Sequence, residues 1–473
     1  MGKVLSVASE CVPLIKTGGL ADVVGALPAA IASLGWDMRV ILPAYADLRE
    51  KRAAMTEVWH DPNLFGGPAR VYFGRVEGID LYLLDAPHLY DRAGGPYSAS
   101  GKDYPDNAER FAALSWAAAQ IAREGVAGWK PDVLHAHDWQ AGLAPAYLKY
   151  GGSGGVGTVM TVHNIAFQGW ASLAEIDGLR LPVSEFHPGA LEYFGGLSSL
   201  KAGLVTADKI TTVSNSYAAE LMRPEFGMGL EGVIVARGAD VVGILNGVDA
   251  EIWSPDIEPL PYSVTSMKGK SAARAALCKD LDLNVPGPLA ILVSRLTAQK
   301  GIDLLAEVIP DFVAAGGGLA VLGSGDPGLE AVIRGLARKY PQRVSVQIGY
   351  SEAFSHRLFS AGDAVLVPSR FEPCGLTQMY GLRYGAVPVV SAVGGLADTV
   401  INASAAAMSV GVATGIVFHP VDALSFKLAL RRLIALYADK RAWTNVQKNA
   451  MRQPVGWEAS AKAYVSLYEG LTE

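Results

Sequence analysis

Short apolar runs rich in β-branched residues recur along the chain, each followed by a polar or glycine-rich loop and then by a helical pattern. This alternation constrains the fold most. Strands buried on both faces need helices packed on either side, and parallel neighbours need crossover connections. Val4-Leu5-Ser6-Val7-Ala8 opens the series, the loop Lys16-Thr17-Gly18-Gly19 follows, and a helix near Leu20 to Leu34 leads to a strand at Met38 to Leu42. After two alternating stretches, Arg70 to Phe73 and Asp80 to Leu84, comes Gly94-Gly95-Pro96-Tyr97, and the polar segment Gly101 to Asn107 reads as a long surface loop that orders around a ligand. The helix Ala108 to Glu124 then leads to strands at Asp132 to His137, Thr158 to Val162, Asp208 to Ser214 and Val241 to Leu245, with a turn at Asp138-Trp139.

From Trp253 to Ser266 the chain carries Pro255, Pro259 and Pro261 with little periodicity, which reads as a linker. A second series follows, with strands at Leu289 to Val293, Leu319 to Leu322, Val344 to Ile348 and Ala364 to Val367 alternating with helices. The expectation is an α/β protein with two Rossmann-like, doubly wound parallel-sheet domains, at 1–245 and 246–456. Gly18-Gly19-Leu20-Ala21-Asp22 recurs as Gly394-Gly395-Leu396-Ala397-Asp398, which suggests a glycine turn and a helix N-terminus in each half. Residues 457–473 form a final helix, with Ala461, Tyr464, Val465 and Tyr468 on one face, expected to cross back to the N-terminal domain.

A net charge of −6 with no basic block gives no support for nucleic acid or an anionic membrane as a partner. Cys11, Cys278 and Cys374 lie too far apart to read as a metal-ligand pair, and three scattered thiols suit a reduced compartment. The start lacks a signal-peptide pattern and no apolar run reaches transmembrane length, so the expected location is the cytoplasm.

The chemistry gathers at strand ends. Pro368 to Gly381 joins a buried strand to a helix beginning at Leu376, and brings Glu372, Cys374, Gly375 and Thr377 to one helix N-terminus, where free amides can hold a phosphate. Arg295 and Lys300 share a loop after a strand, and two fixed cations there can neutralise a departing diphosphate. The alternative is a surface Arg and a solvated Lys. Lys16 beside Gly18 and Gly19 poses the same question, without the spacing of a nicotinamide or Walker site. Asp138 and His163 end two further strands and can meet a sugar, although a histidine there is often a satisfied structural group. Cys374 reads as cleft lining, because no base is assured beside it. Tyr350 offers a face for a nucleobase or serves as a rim residue.

Lys16 to Val23, His137-Asp138-Trp139-Gln140, His163 to Gly169, Ser294-Arg295-Leu296 with Gln299-Lys300-Gly301, and Ser369 to Gln378 together resemble the bacterial glycogen synthases and plant starch synthases. The likeness covers nearly the whole chain in motif order. It implies a GT-B fold with the two domains facing a central cleft, and a metal-independent enzyme with no cofactor beyond its donor. That enzyme would move glucose from ADP-glucose to the non-reducing end of an α-1,4-glucan such as glycogen, retaining anomeric configuration. Position by position, the resemblance gives the diphosphate to Arg295 and Lys300, with Lys16, Gly18, Gly19 and the amides of Leu376 and Thr377 on the phosphates. It places Glu372 and Asp22 around the donor glucose, His163 near the reacting carbon, Tyr350 on adenine, and Asn246, Gln299, Cys374 and Gly375 among the donor contacts. Asp138 would lie nearer the acceptor. The wider retaining GT-B group often has a second Glu where this chain has Tyr380. No close carboxylate pair for a covalent intermediate is evident, so a front-face transfer with domain closure on donor binding is expected. A glucan phosphorylase-like enzyme, which would need a pyridoxal-binding lysine, and an inactive glucan-binding protein are the other readings.

Overall fold

The structure is a computed structural model that describes residues 1–472. The chain divides into two compact units: Met1–Asn246 joined by the stretch from Trp457 onward, and Gly247–Gly456.

The first unit is built on a nine-stranded sheet. From one edge its order is Val241–Gly243, Lys209–Thr212, Gly157–Val162, Val133–His137, Gly2–Val7, Trp36–Pro43, Ile79–Asp85, Gly67–Val76 and Thr56–Leu64. From Gly2–Val7 the chain winds outward in one direction through Trp36–Pro43 to Ile79–Asp85, then returns to Val133–His137 and winds the other way. The reversal therefore falls between Gly2–Val7 and Val133–His137, and in open α/β sheets such a point is where ligands bind beyond the strand carboxyl ends.

The sheet departs from the all-parallel expectation at one edge, where Gly67–Val76 pairs antiparallel with both of its neighbours. The connections explain why. Phe65-Gly66 and Glu77-Gly78 each place two consecutive residues at positive φ, the conformation of a two-residue hairpin turn that returns the chain beside itself. The outermost strand, Thr56–Leu64, carries Glu57, Asp61 and Pro62, as befits an exposed edge, and these residues hide it from a reading by hydrophobic pattern.

The loop expected to order around a ligand is already held by protein groups. Arg110, fully buried, donates to the carbonyls of Leu89 and Pro96, each at 2.8 Å, and to Asn107 Oδ1 at 2.6 Å. Arg92 pairs with Asp106 at 2.8 Å. Asp138-Trp139, expected as a turn, begins the short helix Asp138–Ala141. The final helix, Glu458–Thr472, buries Ala461, Tyr464, Val465 and Tyr468 against Leu27, Ile31, Trp36, Val133 and Val159 of the first unit.

The second unit has a six-stranded sheet, parallel throughout, in the order Val344–Ile348, Gly318–Gly323, Leu289–Val293, Ala364–Val367, Val387–Ser391 and Ile416–Phe418. Its winding reverses between Leu289–Val293 and Ala364–Val367. The stretch from Trp253 to Ser266 is not a free linker. Trp253 is stacked between His356, at 4.1 Å, and Tyr380, at 3.9 Å, and the buried Tyr262 donates its hydroxyl to the Tyr384 carbonyl at 2.9 Å. The prolines exclude regular structure, yet the aromatic side chains between them fasten the segment to this unit. The same stack accounts for Tyr380 as a packing residue. The helix Lys268–Asp280 buries little beyond Lys270 and Leu277, which explains its weak sequence signal. Among the described residues, no helix is long and apolar enough to cross a membrane.

Candidate active site

In the second unit the candidate residues sit on the two strands flanking the reversal. Arg295 and Lys300 follow Leu289–Val293, and Glu372 follows the parallel neighbour Ala364–Val367. The Lys300 ammonium donates to Glu372 Oε2, and Ser369 Oγ donates to the same oxygen at 2.9 Å. Glu372 is only 7% exposed, so its charge is held by specific donors rather than by water. The two loops are clamped together behind this pair: Gln299 Nε2 donates to the Phe371 carbonyl at 3.0 Å, and the Arg370 amide donates to the Gln299 carbonyl at 2.8 Å. Arg370 closes the clamp with two bonds to Asp303, both 2.7 Å. Gln299, expected as a donor contact, thus has its amide nitrogen engaged in fixing Glu372's loop. Arg295 is exposed beside it.

The helix Thr377–Tyr384 starts at this junction with Leu376 as its N-cap, and no side chain caps it. Its first amides keep the partial positive charge that suits a phosphate. The Thr377 hydroxyl lies 3.5 Å from the Val293 carbonyl, which fixes the helix start over the strand that leads to Arg295. Cys374 is buried and Gly375 occupies the bend before the helix; none of the three cysteines forms a disulfide. Tyr350, 71% exposed after Val344–Ile348, presents its ring on the surface.

In the first unit, Lys16 pairs with Asp22 at 2.7 Å, so two residues expected around the donor neutralise each other. Gly18 and Gly19 are open: a Cβ on either would meet nothing within 4 Å. The echo at Gly394-Gly395 differs. There a Cβ would overlap the carbonyls of Glu372 and Cys374, and the Gly395 amide donates to the carbonyls of Glu372 and Pro373 at 3.1 Å. The same pentapeptide therefore leaves open space at its glycines in the first unit and buttresses the Glu372 loop in the second.

Asp138 holds two neighbouring strand ends together. Its Oδ1 accepts the amides of His163 at 2.7 Å and Asn164 at 3.3 Å, and burial pushes its carboxyl up to about 7. It adopts φ +54°, which Asp tolerates better than most residues. His163 Nε2 lies 3.0 Å from His137 Nδ1, and burial lowers its pKa to about 3. Asn246 is buried, with Oδ1 lacking a hydrogen-bond partner among the described residues.

Sequence reasoning missed Glu10. Its carboxylate accepts the Thr17 amide and hydroxyl, the Gly18 amide at 3.1 Å and the Tyr97 hydroxyl, and so shapes the loop that carries Lys16 and Gly19. The criterion that picked out Asp138, an acid just past the end of a central strand, applies equally to Glu10. Among the described residues, no group of three or more His, Cys, Asp or Glu is placed to hold a metal ion.

Residues 3–236 match the family described as starch synthase catalytic domain, and residues 274–450 match glycosyl transferases group 1. A glycogen synthase from Cereibacter sphaeroides is 66% identical over 471 residues, covering 99% of this chain and 98% of that protein. The chain belongs to the glycogen synthase family. Another family member, from Paracoccus denitrificans, is 56% identical over the full length of both chains. The catalytic domain of starch synthase IV from Arabidopsis thaliana, solved bound to ADP and acarbose, superposes over all of both chains with a TM-score of 0.87 at 29% identity. The fold is GT-B, as the motif resemblance implied, and the glycogen synthase family is one of glycosyltransferases.

Proposed function

We propose that the chain elongates glycogen in the cytoplasm, transferring glucose from ADP-glucose to the non-reducing end of an α-1,4-glucan with retention of configuration and without a metal or cofactor. The observation that carries this reading is the Lys300–Glu372 pair at the second sheet's reversal, beside an exposed Arg295 and an uncapped helix N-terminus. The relatives support the donor class: two are named glycogen synthases, and the Arabidopsis enzyme binds ADP.

In this reading Arg295, Lys300 and the amides of Leu376 and Thr377 hold the diphosphate, with Gly375 and Cys374 lining its approach. Lys16 offers an ammonium and Gly19 a helix-first amide to phosphate, Gly18, its own amide held by Glu10, leaves space for the approach, and Tyr350 stacks on adenine. Glu372, Asp22 and Asn246 take sugar hydroxyls, and His163 lies near the reacting carbon. Asp138 acts through the backbone of His163, and Gln299 through the loop of Glu372.

The bond from the sugar's anomeric carbon to the diphosphate oxygen breaks as the bond to the acceptor hydroxyl forms on the same face. The acceptor's proton passes to the leaving phosphate oxygen, and ADP departs. Arg295 and Lys300 stabilise the charge that develops on that oxygen, a contribution worth on the order of a hundredfold or more in rate. The test is proton NMR of the first linkage formed from ADP-α-glucose and a short maltooligosaccharide. A new α-1,4 linkage supports the reading; a β-linked product contradicts it.

A further inference from the structure

Three histidine rings pack in the interior of the first unit, with His135 4.1 Å from His137 and His137 5.3 Å from His163, centroid to centroid. Burial draws His135 and His163 down to about 3 and His137 well below its usual value, so all three are neutral at neutral pH. A neutral imidazole has one N–H and one bare nitrogen. The rings are therefore a problem in proton placement.

Two bonds link His163 to the central strand: Ser6 Oγ lies 3.1 Å from His137 Nε2, and His137 Nδ1 lies 3.0 Å from His163 Nε2. Only two arrangements of protons make both bonds. If His163 donates from Nε2, His137 accepts at Nδ1 and donates from Nε2 to Ser6. The Ser6 hydroxyl proton then has no acceptor, because Ser6 is fully buried and makes no second side-chain bond among the described residues. A buried hydroxyl left unmatched is the penalised state. In the other arrangement Ser6 donates to His137 Nε2, His137 Nδ1–H donates to His163 Nε2, and His163 carries its proton on Nδ1. Ser6 and both nitrogens of His137 are then matched. Nδ1 of His163 makes no bond to protein among the described residues, and the residue keeps 9% of its surface exposed.

We propose that Ser6 and His137 are positioning residues that fix His163 as the Nδ1–H tautomer, so that its ring meets the donor sugar as a hydrogen-bond donor and not as an acceptor. The part concerning the sugar rests on the function proposed above; the relay itself does not. His135 supports the arrangement from behind. It is held by Tyr468 at 2.8 Å and Thr161 at 2.6 Å, and its ring packs against His137 at an angle of 36°, limiting rotation. Asp138 holds the His163 backbone from the other side.

The test is nitrogen-15 NMR of the full chain with labelled histidine, in which long-range nitrogen–proton correlations tell a protonated ring nitrogen from a bare one. The His163 signals are assigned by their loss in His163→Gln. The expected result is Nδ1–H with bare Nε2 at neutral pH. Protonation on Nε2 overturns the relay without touching the proposed reaction. Nδ1–H signals that stay fixed when ADP-glucose is added overturn the sugar contact and leave the relay standing. Ser6→Ala is expected to mix the two tautomers and to lower kcat by about tenfold, the effect of one hydrogen bond, with the KM for glucan unchanged. Ser6→Thr, which keeps the hydroxyl, should restore both. An unmixed tautomer and normal kcat in a folded Ser6→Ala overturn the role of Ser6.

Discussion

Lys300 and Glu372 are joined across the point where the second sheet reverses its winding, the ammonium of one donating to the carboxylate of the other. Each neutralises the other in a largely dehydrated setting. A diphosphate arriving at Lys300 would take over part of that role and release Glu372 toward the sugar. Lys300→Ala is therefore expected to lower turnover by about a hundredfold or more. It should also reduce stability, because among the described residues Glu372 would keep only Ser369 as a side-chain hydrogen-bond partner. Steady-state kinetics with thermal melting separates the two: near-normal turnover in a folded variant contradicts the assignment.

Two glycines distinguish a ligand's space from the protein's own. At Gly301 φ is +69° and a Cβ would overlap the Pro368 carbonyl, so Gly301→Ala should displace the Lys300 loop and cost about 1–3 kcal/mol of stability. At Gly19, the first residue of a helix, nothing lies within 4 Å of a Cβ. Gly19→Ala should leave stability unchanged or slightly raised. If phosphate approaches there, it should raise the KM for ADP-glucose by about tenfold, on the scale of one lost contact. Urea midpoints and donor titrations of the two variants check this.

Acid stability has a definite sign. As pH falls below about 6.5, the unfolded chain protonates His135, His137 and His163 while the folded chain leaves them neutral, so each removes about 1.4 kcal/mol per pH unit. Asp138 acts oppositely. Its folded carboxyl titrates near 7 against a usual 3.8, so over that interval falling pH stabilises by one such slope. The four groups together predict a loss of roughly 3 kcal/mol per pH unit between about pH 6 and pH 4. Asp138→Asn, which keeps an acceptor for the His163 amide, should steepen that loss. Urea unfolding at several pH values measures it; an unchanged slope in Asp138→Asn contradicts the burial of an ionisable group there.

Tyr350 is exposed enough for its removal to leave the core intact. Tyr350→Ala should keep its melting temperature and weaken ADP binding by about 1–2 kcal/mol, the scale of an aromatic stack, as read by calorimetry.

The strands of the second unit were the most legible part of the chain. Val344 to Ile348 and Ala364 to Val367 match the observed strands residue for residue, the second because a buried parallel strand is a continuous apolar run between polar loops, the first because Val, Val and Ile alternate with Ser and Gln as at a half-exposed edge. Thr56–Leu64 and Lys268–Asp280 were not legible, one an exposed edge with charges and a proline, the other a helix with a narrow buried face. In the site, strand-end position identified Arg295, Lys300, Glu372, Asp138 and His163 as candidates. It could not show that Lys300 pairs with Glu372 or Lys16 with Asp22, since a loop's closure depends on backbone contacts such as Gly301 against Pro368 that no local pattern records. The Trp253 segment misled for a related reason: prolines mark irregular backbone, whereas the stacking of Trp253 and the burial of Tyr262 are tertiary facts.

The central claim is most directly tested by incorporation of labelled glucose into a glycogen primer by the purified chain, with ADP-glucose and UDP-glucose compared in the presence of a chelator. The account predicts rapid, chelator-resistant transfer from ADP-glucose that is lost in Lys300→Ala. Absence of transfer from either donor by folded protein would contradict it.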